Sequence, residues 1–144
     1  MGYPSYKSGD VGERVAMMAL RRWGCHELFK IETPCRVVKG RKVYTEKARG
    51  DIVGQWHDGT GLLAEVKRWK DWDKDSIQDK EVASKVWDGW RKILKDHQRL
   101  SLENWSQRGR SVLVLVSGCG RYACCWLVNV HGVVSSSLNP YQED

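Results

Sequence analysis

The sequence predicts a single α/β domain, residues 1–144, in which a mixed central β-sheet is flanked by helices. The predicted elements follow one another as a helix, several strands, a long helix and further strands, which is the order typical of a mixed sheet covered by helices. One strand is the continuously apolar run SVLVLVSG, which indicates burial on both faces. With 144 residues, 41% of them hydrophobic, the chain can bury one modest core.

The first predicted element is a helix from Val11 to Trp23, where apolar residues recur at helical spacing and Gly24 follows as a stop signal. We expect residues 1–9 to form a flexible N-terminal arm. β-branched residues on both sides of Lys39-Gly40 predict a short hairpin from Cys35 to Thr45.

A second hairpin is predicted from strands at Asp51 to Trp56 and Leu62 to Arg68, around the turn signal Asp58-Gly59. The spacing of apolar residues then predicts one long helix from about Glu81 to Asn104. Beyond it, YACCWLVNV is expected to lie beside SVLVLVSG in the sheet, and the tail, residues 136–144, is expected to be irregular.

A net charge of +6 and a pI near 9.1 favour a polyanionic partner, because basic side chains that neutralise phosphates release counterions. A solvated charged surface is the alternative. The basic residues cluster before and around Asp51. The candidates for phosphate contacts are Lys7, Arg14, Arg36, Lys39, Arg41, Lys42, Arg49 and Arg68.

Several protein classes are disfavoured by the sequence. No apolar run approaches the roughly 20 residues of a membrane span, and the start MGYPSYKSGD lacks the apolar core of a signal peptide. We therefore expect an intracellular protein that is neither secreted nor bound to a membrane. The five cysteines form no CxxC pair or zinc-ligand spacing, so we interpret them as small buried hydrophobic residues.

The hairpin around Asp58 carries three charged residues in one place. A loop centred on Asp58 sets Asp51 opposite Glu65, with Cβ atoms about 4.5–5.5 Å apart on one face. Lys67 lies on the same face because side chains alternate along a strand. Two opposed carboxylates repel each other, and a divalent cation such as Mg²⁺, which prefers oxygen ligands, removes that repulsion.

In this interpretation the Val66 side chain points into the core, so its backbone carbonyl is available as a further metal ligand. The ammonium of Lys67 would help to orient a water molecule and to balance charge on a phosphate group. The alternative is a surface hairpin with a screened, nearly neutral Glu65–Lys67 pair.

The order of charged residues resembles the PD-(D/E)xK nuclease superfamily: an acid on the first helix is followed by Asp and then by Glu-Val-Lys on a hairpin. Within it, KSGDVGERVAMMAL resembles the opening of the archaeal-type Holliday junction resolvases, where a basic residue and a glycine lead into a helix with a Glu-Arg pair. The resemblance covers roughly residues 7–67. The matching residues are Lys7, Gly9, Glu13, Arg14, Asp51, Glu65 and Lys67.

This resemblance implies a restriction-endonuclease-like sheet and a metal-dependent endodeoxyribonuclease that resolves four-way DNA junctions by paired symmetric nicks. It implies that Asp51 and Glu65 bind Mg²⁺, with Mn²⁺ as a substitute, that Lys67 positions the attacking water, and that Glu13 completes or supports the site. The protein would then act on branched DNA in the cytoplasm or nucleoid.

A homodimer is also expected, because a two-fold dimer presents two equivalent sites to a two-fold substrate. Its interface is expected in the apolar strands, residues 112–116 and 123–130, or in the tryptophan-bearing helix.

The sequence departs from the family pattern in two places. Gly50 stands where the superfamily name has proline, and the segment before Asp51 has no serine, so Thr33 or Thr45 would replace a functional serine that relatives often carry. Two alternatives stay open: a nuclease acting on other branched, damaged or sequence-defined DNA, and a nucleic-acid-binding module without catalysis.

Eight tryptophans against one phenylalanine are an unusual ratio. Aromatic rings can stack on unpaired bases, although large aromatic residues more often belong to a core or an interface. The tryptophans that follow the predicted hairpin's strands are Trp69, Trp72, Trp87, Trp90 and Trp105.

Overall fold

The computed structural model describes residues 5–31, 35–44, 50–69, 94–117, 123–129 and 134–142. These residues form a mixed α/β fold with two helices, α1 (Ser5–Arg22) and α2 (Asp96–Ser106). The strands are β1 (His26–Lys30), β2 (Cys35–Val38), β3 (Arg41–Tyr44), β4 (Ile52–Gln55), β5 (Gly61–Trp69), β6 (Arg110–Ser117), β7 (Cys124–Asn129) and β8 (Val134–Leu138).

Six of the strands form one sheet in the order β1-β4-β5-β6-β7-β8, and β2 and β3 pair separately. Neighbouring strands in the large sheet are antiparallel except for β5 and β6, which are parallel. A parallel pair needs a long crossover connection, and α2 lies in the connection between these two strands. The predicted α/β class with a mixed central sheet is confirmed.

The two helices pack on opposite faces of this sheet. Leu62, Ala64 and Val112 belong to the cluster that contains the apolar residues of α1. Leu63 and Leu113 belong to the cluster that contains Leu102 of α2. Alternate residues of β5 and β6 therefore point to different helices. Strand β6 is buried on both faces, as its apolar sequence predicted.

Helix α1 begins at Ser5, six residues before the predicted start, so residues 5–9 are helical and do not form an arm. The apolar pattern that predicted the helix marks only the part that packs on the sheet, whereas backbone hydrogen bonds extend further. The end was predicted correctly. Gly24, at φ 93°, and Cys25 donate backbone hydrogen bonds to Arg21 and Leu20, which is a Schellman cap.

The predicted long helix from Glu81 to Asn104 is confirmed over residues 96–104, but it is not continuous, because residues 94–95 are not helical. Lys95 has extended backbone, φ −71° and ψ 155°, and α2 begins only at Asp96. The helical spacing of apolar residues continues across this break, because burial depends on the position of a side chain and not on unbroken backbone hydrogen bonds. The rest of the predicted helix, residues 81–93, lies outside the described residues.

Two strands were not predicted. β1 has only one buried residue, Leu28, and its bulge interrupts the alternation that marks a strand. β8 consists largely of serine and pairs with β7, so residues 136–138 are not irregular. Both strands lie at sheet edges, where backbone pairing on one side suffices and apolar side chains are not required.

Both predicted hairpins are confirmed. Lys39 and Gly40, at φ 51° and 77°, form the two-residue turn between β2 and β3. In the other hairpin Ile52 pairs with Ala64 and Gln55 with Gly61, which is the register of a loop centred on Asp58. The Asp58 carboxylate accepts a hydrogen bond from the Thr60 N–H, 2.9 Å, and fixes the turn.

The described residues of the two apolar strands, 112–116 and 123–128, are buried within a single chain and so do not supply the predicted interface between subunits. Residues 112–116 are at most 3% exposed within a single chain, and β7 is buried between β6 and β8. A strand that is already covered on both faces and both edges has no surface left for a partner. The tryptophan-bearing segment falls mostly outside the described residues.

Cys25, Cys124 and Cys125 are buried free thiols, as their interpretation as small hydrophobic residues predicted. Burial raises their pKa values to about 11, 11 and 12, so they are protonated and unreactive at neutral pH. In the described part of the chain, neither helix is long and apolar enough to cross a membrane.

Candidate active site

Asp51 and Glu65 lie side by side at one end of the β4–β5 hairpin. Asp51 comes directly before β4, and the register of the hairpin, Ile52 with Ala64, sets it next to Glu65. Its Oδ2 accepts a hydrogen bond of 2.8 Å from the Val66 backbone N–H, so β5 fixes the carboxylate that β4 provides. The predicted juxtaposition of the two acids is present.

Glu65 is only 3% exposed, although it is an acid on a strand at the edge of the core. Burial raises the pKa of its carboxyl to about 9, and the charge of Asp51 and a side-chain hydrogen bond with Asp51 add to the effect. The charge of Lys67 lowers this pKa, and the charge of Glu13 raises it further. The Glu65 carboxyl is therefore protonated at neutral pH and can donate a hydrogen bond to Asp51.

Lys67 lies on the same face of β5 as Glu65, with its Nζ 3.9 Å from Glu65 Oε1. Its side chain is 24% exposed, so the ammonium reaches the rim of the site, where solvent or substrate can meet it. Val66 points to the opposite face and packs against the cluster beneath α1, as the alternation of side chains predicted.

Gln98, in the first turn of α2, is a site residue that the sequence did not reveal. Its Nε2 donates a 3.0 Å hydrogen bond to Glu65 Oε1, and its Oε1 accepts one of 3.0 Å from the Lys95 N–H. The signal that would have found it is the start of α2 at Asp96, which makes Gln98 the third residue of the helix. Because the predicted helix continued through Lys95, the sequence analysis did not place Gln98 at a helix start.

Glu13 lies in the middle of α1, so the helix N-terminus does not explain its charge. Its Oε2 pairs with Lys30 Nζ of β1 at 2.8 Å. It is close enough to Glu65 to raise the pKa of that carboxyl. Glu13 therefore lies near Glu65 and is paired with Lys30, a contact that sequence reasoning missed together with β1.

A groove of about 340 Å³ opens beside Glu13 between α1 and β1. Arg14, Arg21 and Lys30 line it together with the apolar side chains of Met17 and Met18. Its volume is within the range of natural ligand sites. With three cations against the single carboxylate of Glu13, the groove favours an anionic ligand.

The other predicted phosphate contacts are placed as follows. Arg68 is half-buried against Gly12 of α1, while Lys39 and Arg41 are exposed at the tip of the β2–β3 hairpin. Arg14 lines the groove. The side chains of Lys7, Arg36 and Lys42, and the whole of Arg49, Thr33 and Thr45, lie outside what the structure describes.

Among the described residues, no group of three or more His, Cys, Asp or Glu side chains has the arrangement of a metal site. The candidate carboxylate ligands are therefore Asp51 and Glu65, since the third nearby acid, Glu13, pairs with Lys30. Mg²⁺ is commonly held by one or two carboxylates, with waters and substrate phosphates completing its shell. The pair fits such an ion, which would replace the proton on Glu65 as the compensating positive charge.

Trp105 is half-buried, packs against the α2-side cluster and donates from Nε1 to the Gly61 carbonyl at 3.1 Å. This contact supports a structural role for it and not base stacking. The side chains of Trp69, Trp72, Trp87 and Trp90 lie outside the described residues.

No protein-family model matches this sequence, and no curated protein matches it significantly.

Proposed function

We propose that the protein is a metal-dependent endodeoxyribonuclease that resolves four-way DNA junctions by paired symmetric nicks. The observation that carries the proposal is the buried Glu65 carboxyl beside Asp51, with the Lys67 ammonium at its rim. Burying two adjacent acids destabilises a fold unless a proton or cation compensates. Such a pair is typical of sites that hold a divalent ion against phosphate.

Asp51 and Glu65 would hold Mg²⁺, or Mn²⁺ in its place, and the Val66 carbonyl is the proposed third protein ligand. When bound, the ion supplies a Lewis acid and lowers the pKa of coordinated water. Lys67 contributes a positive charge next to the acids, where it orients the attacking water and stabilises charge that develops on the phosphate oxygens. Glu13 and Lys30 form a second, paired layer that supports this arrangement.

The substrate is proposed from charge and from the sequence resemblance. The basic groove beside Glu13 supports binding of a phosphodiester strand. Two nicks in opposed strands require two sites within one binding event, so we propose a homodimer that acts on branched DNA inside the cell, in the cytoplasm or nucleoid.

The direct test is cleavage of a four-way junction labelled in turn on each strand, compared with its component duplexes, with Mg²⁺ and with EDTA. We expect Mg²⁺-dependent nicks at symmetry-related positions near the crossover. Duplex binding should fall steeply with salt, by about 0.9 in log K per log salt for each neutralised phosphate, while junction binding persists to higher salt.

Other outcomes decide between the remaining functions. Equal cleavage of linear duplex and parallel loss of both affinities with salt would contradict junction selectivity and leave a more general nuclease. Junction binding without cleavage in Mg²⁺ or Mn²⁺ would contradict catalysis and leave a binding module.

The groove makes a separate prediction. Arg14→Glu and Arg21→Glu should weaken binding to junction and duplex, and the salt slope of log K should fall by about 1 for each phosphate contact that is lost. Binding is measured by fluorescence anisotropy in EDTA over a series of salt concentrations, so that cleavage does not interfere.

Arg108→Glu is the matched control, because Arg108 is exposed just beyond the C-terminal end of α2, away from the groove. It makes the same change in net charge. An equal loss of affinity in Arg108→Glu would show that net charge, and not the groove, determines binding.

A further inference from the structure

Gln98 connects the start of α2 to the acidic pair through both ends of its side-chain amide. The Lys95 backbone N–H can only donate, so the atom that it contacts at 3.0 Å must be the Gln98 carbonyl oxygen. The amide orientation is thereby fixed, and the NH₂ group faces Glu65 Oε1 at 3.0 Å. The hydrogen bond at the start of α2 thus determines that the Gln98 NH₂ group, and not its carbonyl oxygen, contacts the Glu65 carboxyl.

Donors from the protein engage one oxygen of each acid. Glu65 Oε1 accepts a hydrogen bond from Gln98 Nε2 and lies 3.9 Å from Lys67 Nζ. Asp51 Oδ2 accepts a hydrogen bond from the Val66 backbone N–H. A carboxylate that is held at one oxygen cannot rotate freely about its terminal bond. Gln98 is the only one of these donors that comes from outside the hairpin, since it lies 33 residues from Glu65 in the chain.

We propose that Gln98 is a positioning residue for a divalent cation at this site: it holds Glu65 Oε1 and thereby fixes the orientation of the carboxylate toward Asp51. The inference rests on the cation site of the proposed nuclease. It goes beyond that proposal in assigning a role to a side chain of α2, so that the placement of this helix and the geometry of the acidic pair are coupled.

The alternative role for Gln98 is to cap α2 and nothing more. Asp96→Ala offers a matched control for this role, because Asp96 is the first residue of the same helix and pairs with Arg99 at its exposed surface. Its removal weakens the start of α2 without removing a group that contacts Glu65. Gln98→Leu removes the cap contact and the donor to Glu65 together.

The experiment is a Mn²⁺ titration of the DNA-free protein, followed by electron paramagnetic resonance of the free ion, with the melting temperature measured for each variant. We expect Gln98→Leu to bind Mn²⁺ about 10–100-fold more weakly than wild type, the usual effect of losing a group that orients a ligand. Asp96→Ala should bind Mn²⁺ as wild type does, although it also lowers the melting temperature. Glu65→Gln should lose binding altogether.

Wild-type affinity in Gln98→Leu, or equal weakening in Asp96→Ala, would overturn the positioning role. Absence of Mn²⁺ binding to the wild-type protein would overturn it together with the cation site. Mn²⁺ binding that depends on Gln98, in a protein that cleaves no DNA, would support the positioning role and contradict only the nuclease.

Discussion

Asp51→Asn and Glu65→Gln should each abolish junction cleavage while leaving junction binding unchanged or tighter. Each substitution keeps the shape of the side chain and removes a charge that the proposed cation requires. We expect the cleavage rate to fall by more than about 100-fold, the upper end of the loss caused by removing a group that only supports a metal ligand. In EDTA, Asp51→Asn removes a carboxylate next to phosphate, which favours binding. Glu65→Gln replaces a carboxyl that is already protonated at neutral pH, so it leaves binding unchanged.

Lys67→Ala should also lose cleavage, but it should weaken binding slightly because a positive charge is removed. The rates are measured in single-turnover reactions with Mg²⁺, and binding is measured in EDTA. Asp58→Asn provides the matched control: Asp58 lies at the exposed tip of the same hairpin, where asparagine is equally suited to the turn. Near-wild-type cleavage by Asp51→Asn, Glu65→Gln or Lys67→Ala would contradict the assignment of the site.

Glu65 should also make the stability of the metal-free protein fall as pH rises. A folded-state pKa of about 9, against an ordinary value of 4.5, means that the folded protein binds this proton more tightly than the unfolded chain does. The contribution to stability is fully present below about pH 4.5 and is lost as pH rises through about 9. Within this window, the free energy of unfolding should decrease steadily with pH because of this group.

Glu65→Gln removes the titration and retains the contacts, because an amide can accept from Gln98 and donate to Asp51. We therefore expect Glu65→Gln to be more stable than wild type at neutral and alkaline pH, and to approach it near pH 4.5. The measurement is urea denaturation in EDTA from pH 5 to 9. Glu103→Gln, at an exposed position of α2, should leave the pH dependence of wild type unchanged.

Saturating Mg²⁺ should make the wild-type protein more stable than Glu65→Gln, the reverse of the order expected in EDTA. A ligand that binds the ionised pair stabilises only the folded protein, so saturating Mg²⁺ should raise the stability of wild type and have little effect on Glu65→Gln. Identical pH profiles for wild type and Glu65→Gln in EDTA would contradict the buried, protonated state of Glu65.

Local sequence signals predicted the parts of the fold in which neighbouring residues decide the geometry. The turn at Asp58-Gly59 and the alternation along β4 and β5 were enough to place Asp51 beside Glu65 and to turn Val66 toward the core. The apolar run of β6 was enough to place it in the middle of the sheet. Edge strand β1 was not predicted, because a strand with a single buried residue, Leu28, shows no alternation of apolar and polar residues.

The sequence by itself thus determined the register of the hairpin and the identity of the three charged residues on it, because turn chemistry and side-chain alternation act over a few residues. Only the tertiary structure decided that Glu65 is buried, that Gln98 contacts it from α2, and that Glu13 pairs with Lys30. These features depend on the crossover that brings α2 over β5 and on the packing of α1 beside β1. Desolvation, which raises the pKa of Glu65, depends on which atoms exclude water, and segments far apart in the chain contribute those atoms.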